Sequence, residues 1–207
     1  AQSDRCAVRQ IAFTTAFLER PDEFFDDEEI LADILTLYFT DYEPESSFVA
    51  EVSGGQVVGY LIGAADTRRM DWIALTRVGP KILWRSLKRG IFARGKIVQF
   101  LWQLFLSFCR GEFFSRDFSK EYPATFHINL LKEYRGQRAG VRLVAAYLEY
   151  LKSRKIPGVR VSTFSKGAEQ FFVKVGLSLL SKTPRSFMKY RTGKDANVYI
   201  LGKKVAE

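Results

Sequence analysis

The chain has 207 residues, a length that predicts one domain over residues 1–207 with an insertion. Hydrophobic residues make up 47% of it and charged residues 27%, which excludes a disordered or fibrous protein. The net charge of +9 indicates contact with something anionic, such as phosphate, an anionic membrane surface or nucleic acid. The chain has only two cysteines, Cys6 and Cys109, and one histidine, His127, which excludes a disulfide framework and a Cys/His zinc site. We therefore expect a cytoplasmic protein without a metal. The longest apolar run, Ile97–Cys109, is shorter than the ~20 residues of a membrane-spanning helix.

The N-terminal third of the chain predicts a strand, a helix and a hairpin. A short strand near Cys6–Gln10 leads into a helical turn. Acidic residues at 26–29 mark a helix start, and apolar residues continue at helical spacing from Ile30 to Phe39. Two strands follow, Ser47–Val52 and Gln56–Ala64, around a Gly-Gly turn.

The next segment, residues 68–120, is an insertion that carries the excess of basic residues. It holds 12 Lys or Arg and three acids, whereas the rest of the chain holds 20 of each sign. Apolar spacing predicts two amphipathic helices, Pro80–Lys88 and Lys96–Cys109. Three interpretations stay open: a helical cap packed on the sheet, a lid over a substrate site, or contact with an anionic membrane through residues 72–110. Nucleic acid is not expected as a partner, because no stacking motif or nucleic-acid-binding fold is recognised.

The C-terminal part of the chain alternates strands and helices. The predicted elements are a strand at 124–131, a helix at 140–154, a strand at 159–164, a helix at 168–175, and short strands at 177–180, 186–191 and 197–202. The strand–helix–strand unit at 124–164 requires a parallel pair, whereas the hairpins are antiparallel. We therefore expect a mixed α/β fold with a mixed sheet and helices on both faces.

The turn between the strand at 124–131 and the following helix predicts an anion site. Backbone N–H groups at a helix start have no partner within the helix, and the helix dipole adds positive charge. Gly136 and Gly140 permit close approach, and Arg135, Arg138 and Arg142 add charge. An ordinary solvent-facing turn is the alternative. A pyrophosphate-bearing ligand fits this turn, although neither the P-loop nor the dinucleotide fingerprint is present.

These residues resemble the GNAT acetyltransferase superfamily. Arg135-Gly136-Gln137-Arg138-Ala139-Gly140 is similar to the family signature Arg/Gln-x-x-Gly-x-Gly/Ala, and residues 168–177 are similar to its Ala-x-x-Phe-Tyr-x-Lys-x-Gly-Phe stretch. The resemblance covers residues 28–66 and 122–205. Within it, residues 122–131 after a long insertion resemble the acetyltransferase-like domain of O-GlcNAcase-type proteins.

The resemblance implies a mostly antiparallel sheet with a splayed parallel pair and acetyl-CoA as the acyl donor. Acetyl would pass directly to an amine of a small molecule or peptide. The implied cofactor-binding residues are Leu130, Leu131, Arg135, Gly136, Gln137, Arg138, Ala139, Gly140, Val141, Ser165 and Phe172. Arg138 departs from the usual Gly of the family. Phe172 departs from a Tyr that is proposed to protonate the CoA thiolate, so water, Tyr134, Ser162, Thr163 or Ser165 would have to serve.

The acceptor amine needs a base, directly or through water. His127 and Asn129 alternate with Ile128, so both are expected on one face of the sheet, and His127 titrates near neutral pH. Glu51 and Asp66, at the ends of the hairpin strands, are other candidates. A non-catalytic CoA-binding module and a membrane-surface acyltransferase stay open as alternatives, as does a homodimer.

Overall fold

The computed structural model describes residues 2–114 and 116–205. The helices are α1 Arg5–Glu19, α2 Pro21–Phe24, α3 Glu28–Asp41, α4 Thr67–Ile73, α5 Gly79–Lys88, α6 Gly95–Cys109, α7 Ala139–Ser153, α8 Lys166–Lys174 and α9 Lys189–Thr192. The strands are β1 Ser47–Glu51, β2 Val57–Ala64, β3 Ala124–Leu130, β4 Gly158–Thr163, β5 Ser178–Arg185 and β6 Ala196–Lys204.

The six strands form one sheet in the order β1-β2-β3-β4-β6-β5. Only β3 and β4 are parallel, and every other neighbouring pair is antiparallel. The crossover between the parallel strands contains α7, as a parallel connection requires. The predicted mixed, mostly antiparallel sheet with helices on both faces is confirmed.

The alternation of β2 assigns the two faces of the sheet. Tyr60 and Ile62 pack with α1 and α3, whereas Leu61 packs with α7 and α8. Gly63 also faces α7, where the ring of Tyr147 leaves no room for a Cβ. The hydroxyl of Tyr147 lies 3.1 Å from the carbonyl oxygen of Ala64 and 2.8 Å from that of Thr125, and its one proton is shared between them, which ties α7 to β2 and β3.

The strand predicted near Cys6–Gln10 is wrong, because these residues lie in α1. Val8, Ile11 and Ala12 are buried at helical spacing against α3 and β2, so a helix, not a strand, places all three in the core. At the end of this helix the backbone turns left-handed over Phe17–Glu19, with φ values of 49°, 59° and 67°.

The strand predicted at 186–191 is also wrong. Phe187 and Met188 are consecutive in sequence and both buried, and they pack with Phe24. A strand would turn one of the two outward, so the chain forms a turn that leads into α9 instead.

The two helices predicted in the insertion are confirmed as α5 and α6. An additional helix, α4, runs into α5 through a π-helical turn at Ala74–Val78, directly before Pro80, which has no N–H to continue a regular helix. The inner face of α6 packs on α2 and on Phe187 and Met188, and α5 packs on α3. Ile82 of α5 also borders the cluster that includes Tyr60 and Ile62 of β2. No helix in the described ranges is long and apolar enough to cross a bilayer.

Candidate active site at the splayed strands

The centre of the sheet opens between β3 and β4. Their pairing is limited to Ala124 with Val159 and Thr125 with Arg160. Beyond these pairs β3 continues along β2, and β4 continues along β6. The edges of the two strands that face each other there have no strand partner, so backbone N–H and C=O groups line a wedge-shaped gap.

The turn after β3 ends in an uncapped helix N-terminus. Gly136 and Arg138 are left-handed, with φ values of 82° and 63°. The first helical hydrogen bond runs from the N–H of Arg142 to the oxygen of Arg138 (3.1 Å). Within the described residues, the N–H groups of 136–141 donate no hydrogen bond, and no side chain caps α7. Such a cluster of free N–H groups on a 15-residue helix favours an anion.

The side chains of the turn shape it from within. Arg135 donates from Nε to the oxygen of Leu130 (3.0 Å), and its guanidinium pairs with Glu19. Gln137 closes the turn through a 3.1 Å hydrogen bond from Nε2 to the backbone oxygen of Glu133. Arg135 therefore bonds to protein groups in this conformation, whereas the side chain of Arg138 is exposed.

Gly140 is the contact point between β3, α7 and α8. A Cβ at this position would lie 3.2 Å from both Leu130 Cδ1 and Phe171 Cζ. The glycine thus lets the helix start approach the end of β3. Leu131 follows directly, and its N–H donates to the oxygen of Val58 (2.9 Å).

Phe172 and Ser165 have structural partners in this conformation. Phe172 is 3% exposed and packs edge to face on Phe126, with ring centroids 5.8 Å apart. Its neighbour Phe171 is the ring that lies beside Gly140. The Oγ of Ser165 accepts a 3.3 Å hydrogen bond from the N–H of Ala168 and caps α8.

His127 and Asn129 lie on the face of β3 that carries α1 and α3, next to Ile62 and Tyr60 of β2. Asn129 donates from Nδ2 to the hydroxyl of Tyr60 (2.8 Å), and burial raises the pKa of Tyr60 to about 12, although that hydrogen bond lowers it. The His127 ring meets Phe39 edge-on at 5.5 Å.

Desolvation by the surrounding protein lowers the pKa of His127 below its ordinary 6.5, even though the residue keeps an exposed surface. A lowered pKa favours the neutral imidazole, which can accept a proton, and a raised pKa favours the protonated hydroxyl of Tyr60.

Glu51 and Asp66 lie apart from His127. Glu51 is at the end of the edge strand β1, in a groove of about 390 Å³ that is also lined by Gln137 and Arg142. Asp66 caps α4, where Oδ1 accepts from the N–H of Arg68 at 2.8 Å. The structure thus places His127 and Asn129 together on β3, the strand that leads into the turn. It places the carboxylates of Glu51 and Asp66 on other elements.

Three residues that the sequence did not single out belong to this region: Tyr60, Phe39 and Glu19. Tyr60 is 69 positions from Asn129, and only the register of β2 on β3 pairs them. Glu19 reaches Arg135 through the left-handed segment at the end of α1, which no sequence pattern marks. In the part of the chain that the structure describes, no His, Cys, Asp and Glu cluster has a metal-binding arrangement.

No protein-family model and no curated protein matches the sequence. Solved structures do match. SsHAT is 24% identical, with 99% of this chain and 95% of that chain covered and a TM-score of 0.72. The polyamine N-acetyltransferase of Drosophila melanogaster is 14% identical, with 98% and 96% covered and a TM-score of 0.58. The protein yncA from Salmonella typhimurium, solved with its cofactor acetyl-CoA, is 12% identical, with 100% and 91% covered and a TM-score of 0.57. With its splayed parallel pair and the uncapped helix beside it, the chain therefore has the fold of the GNAT acetyltransferases.

Proposed function

We propose that the chain is an acetyltransferase domain that moves acetyl directly from acetyl-CoA to an amine of a small molecule or peptide. The observation that carries this proposal is the coincidence of two features at one place in the sheet. The wedge between β3 and β4 offers unpaired backbone groups, and the free N–H groups of residues 136–141 lie where β3 ends.

The two features suit the two ends of the donor. The amide-containing pantetheine arm would pair with the edge of β3 that faces the wedge, as a strand would. It would end near Leu130 and Leu131, where Arg135 Nε now occupies the oxygen of Leu130 and the N–H of Leu131 is bonded to Val58. The pyrophosphate would lie on the N–H groups of residues 136–141, with Arg138 adding charge. Arg135 and Gln137 would hold the shape of the turn. Ser165, which caps α8, would lie beside the bound donor. Phe172 would hold α8 in place by packing on Phe126 in the core.

Neutral His127 would act as the base for the acceptor. The amine nitrogen attacks the thioester carbonyl carbon, the C–N bond forms, the C–S bond breaks, and the proton of the amine passes to the imidazole directly or through water. Asn129, which Tyr60 holds by its Nδ2, would orient the amine through its free Oδ1. Glu51 would serve only if an acceptor reached the groove beside β1.

The departing thiolate needs a proton to leave as CoA. Phe172 cannot give one, and it lies in the core. Water that enters the open wedge is the donor this site favours.

Two of the neighbouring structures support the choice of substrates. One is a polyamine N-acetyltransferase that forms N-acetylagmatine, and another was solved with acetyl-CoA. Both fit a donor thioester and an acceptor amine for this chain.

The test is release of CoA thiol from acetyl-CoA with a panel of polyamines, amino sugars and peptide N-termini. We expect turnover with at least one class, and loss of turnover in His127→Gln with acetyl-CoA binding retained. Tight acetyl-CoA binding without turnover of any amine would instead favour a non-catalytic CoA-binding module, the alternative that Phe172 suggests.

A further inference from the structure

Two consecutive helical segments of the insertion turn apolar faces to solvent. On α4, α5 and the π-helical turn between them the exposed apolar residues are Trp72, Leu75, Leu83, Trp84 and Leu87. On α6 they are Val98, Leu101, Trp102, Phe105 and Phe108. We call these ten residues the aromatic face. The three tryptophans are 67%, 60% and 56% exposed, although they are among the most apolar residues of the chain.

The aromatic face is not needed to hold the insertion in place. On α6 the opposite side already packs inward through Ile97, Phe100 and Leu104. The outward residues of α6 recur at spacings of three and four, so they form one stripe along the helix. A helix that is apolar on both sides needs a second apolar environment, and an exposed patch of this kind marks an interaction site.

The charge around the aromatic face has one sign. Residues 72–110 contain eight Lys or Arg and no Asp or Glu. Arg89 and Arg94 pair with Asp27, the N-cap of α3. Arg85 pairs with Asp33 within α3, and Lys81 lies 3.8 Å from Asp41. The other four are Arg77, Lys88, Lys96 and Arg110, and none forms an ion pair within the described ranges. Lys96 Nζ donates to the backbone oxygen of Asp22 (3.0 Å) and Arg110 donates to Ser186 Oγ (2.7 Å), so Arg77 and Lys88 are the cations with no hydrogen bond to the protein there. Lys88 lies over the ring of Trp84 at 4.9 Å.

We propose that the aromatic face docks on the surface of an anionic lipid bilayer. Trp, Phe and Leu on one side of short helices bury among headgroups and upper acyl chains, while long basic side chains reach the phosphates. The helices would lie on the bilayer rather than span it, since none in the described part of the chain is long enough. A second copy of this chain fits less well, because face-to-face pairing of two copies would bring basic side chains of the same charge against each other.

The chain contains its own probe for this docking. All three tryptophans lie on the aromatic face, so their emission, excited selectively over that of the nine tyrosines, reports on that face alone. With vesicles of phosphatidylcholine and phosphatidylglycerol we expect a blue shift of the emission, quenching by brominated acyl chains, and co-sedimentation. Vesicles of phosphatidylcholine alone should bind at least about tenfold more weakly, as should the anionic vesicles in 1 M salt, where charges are screened beyond about 3 Å.

Matched variants distinguish binding through the aromatic face from nonspecific binding of any exposed apolar residue to the vesicles. Leu101→Glu/Phe105→Glu removes two exposed residues of α6 and leaves the tryptophans as reporters, and we expect the affinity for anionic vesicles to fall at least about tenfold. Val173→Glu/Leu179→Glu makes the same change at exposed positions of α8 and β5 and should bind as the wild type does. Circular dichroism checks that both variants fold.

Three results would overturn the proposal. The first is no association of the wild-type chain with either vesicle type. The second is equal association of the wild type and Leu101→Glu/Phe105→Glu. The third is a dimer in analytical ultracentrifugation that this variant abolishes, which would assign the face to a second copy. None of these results bears on acetyl transfer, because docking is measured without acetyl-CoA.

Discussion

His127 carries the proposed proton transfer, and its environment fixes the pH at which it works. Because desolvation lowers the pKa of this imidazole below 6.5, the neutral base form persists into mildly acidic solution. We expect kcat/KM to be flat through neutral pH and to fall only as the pH drops below about 6.5, toward the lowered pKa. His127→Gln should lose this acid limb and about 100-fold or more in kcat. A midpoint well above 6.5, or full activity in His127→Gln, would remove His127 as the base.

Arg138 pays a conformational cost for its place in the turn. Its φ of 63° is in the left-handed region, which costs a non-glycine residue roughly 1–2 kcal/mol. Glycine loses more backbone entropy on folding, so we expect Arg138→Gly to raise the free energy of unfolding by a net ~0.5–1 kcal/mol in urea titrations. Affinity for acetyl-CoA should fall modestly because a cation is lost.

Arg154→Gly is the control for Arg138→Gly. It removes the same side chain where φ is −92°, and it should not stabilise the protein. A less stable Arg138→Gly would show that the arginine side chain holds the turn.

At the scale of elements, one buried carboxylate joins three helices. Asp33 of α3 is 0% exposed and pairs with Arg9 of α1 at 2.5 Å and with Arg85 of α5. Asp33→Asn removes the negative charge and leaves two opposing guanidinium groups, so we expect a loss of roughly 3 kcal/mol in the free energy of unfolding.

Asp41→Asn is the matched change on the same helix. Asp41 pairs with Arg5 (2.9 Å) and Lys81 (3.8 Å), but it is more exposed, and its loss should cost less than ~1 kcal/mol. Equal losses in the two variants, measured by chemical denaturation, would contradict a special role for the buried pair.

The same scale shows what the sequence could predict. The hairpin, α5, α6, α7 and α8 carry strong local patterns, and each forms where its pattern indicates. The errors at 6–10 and 186–191 arise where distant partners decide the structure. Val8 and Ile11 pack against α3 and β2, and Phe187 and Met188 pack against Phe24, and these contacts decide the local structure.

The candidate site also contains parts that the sequence could predict and parts that it could not. The turn at 134–140 is continuous in sequence, and the shared face of His127 and Asn129 follows from strand alternation alone. The contacts of Tyr60 with Asn129 and of Glu19 with Arg135 depend on strand register and on a left-handed turn, which residue spacing does not encode.

For the molecule as a whole, the net charge is less uniform than its value of +9 suggests. Arg85, Arg89 and Arg94 of the insertion pair with acids in α3 or directly before it, namely Asp33, Asp27 and Asp26. Among the described residues, Arg138 in the turn after β3 and Arg77, Lys88, Lys96 and Arg110 of the insertion have no ion-pair partner. The turn and the insertion carry the proposed donor site and the proposed bilayer contact, so both proposals predict binding that weakens as salt rises.

The central claim is that acetyl-CoA binds on the backbone N–H groups of the turn, and a calorimetric titration tests it most directly. Val141→Pro deletes one of these groups in the first turn of α7, where no helical hydrogen bond is lost. Glu28→Pro places the same ring at the exposed first position of α3, on the other face of the sheet.

We predict micromolar binding of acetyl-CoA to the wild type and to Glu28→Pro, and at least about tenfold weaker binding to Val141→Pro, since a hydrogen bond to a charged group contributes about 1.5–3 kcal/mol. Failure of the wild type to bind acetyl-CoA, or equal affinity in Val141→Pro and Glu28→Pro, would contradict the account.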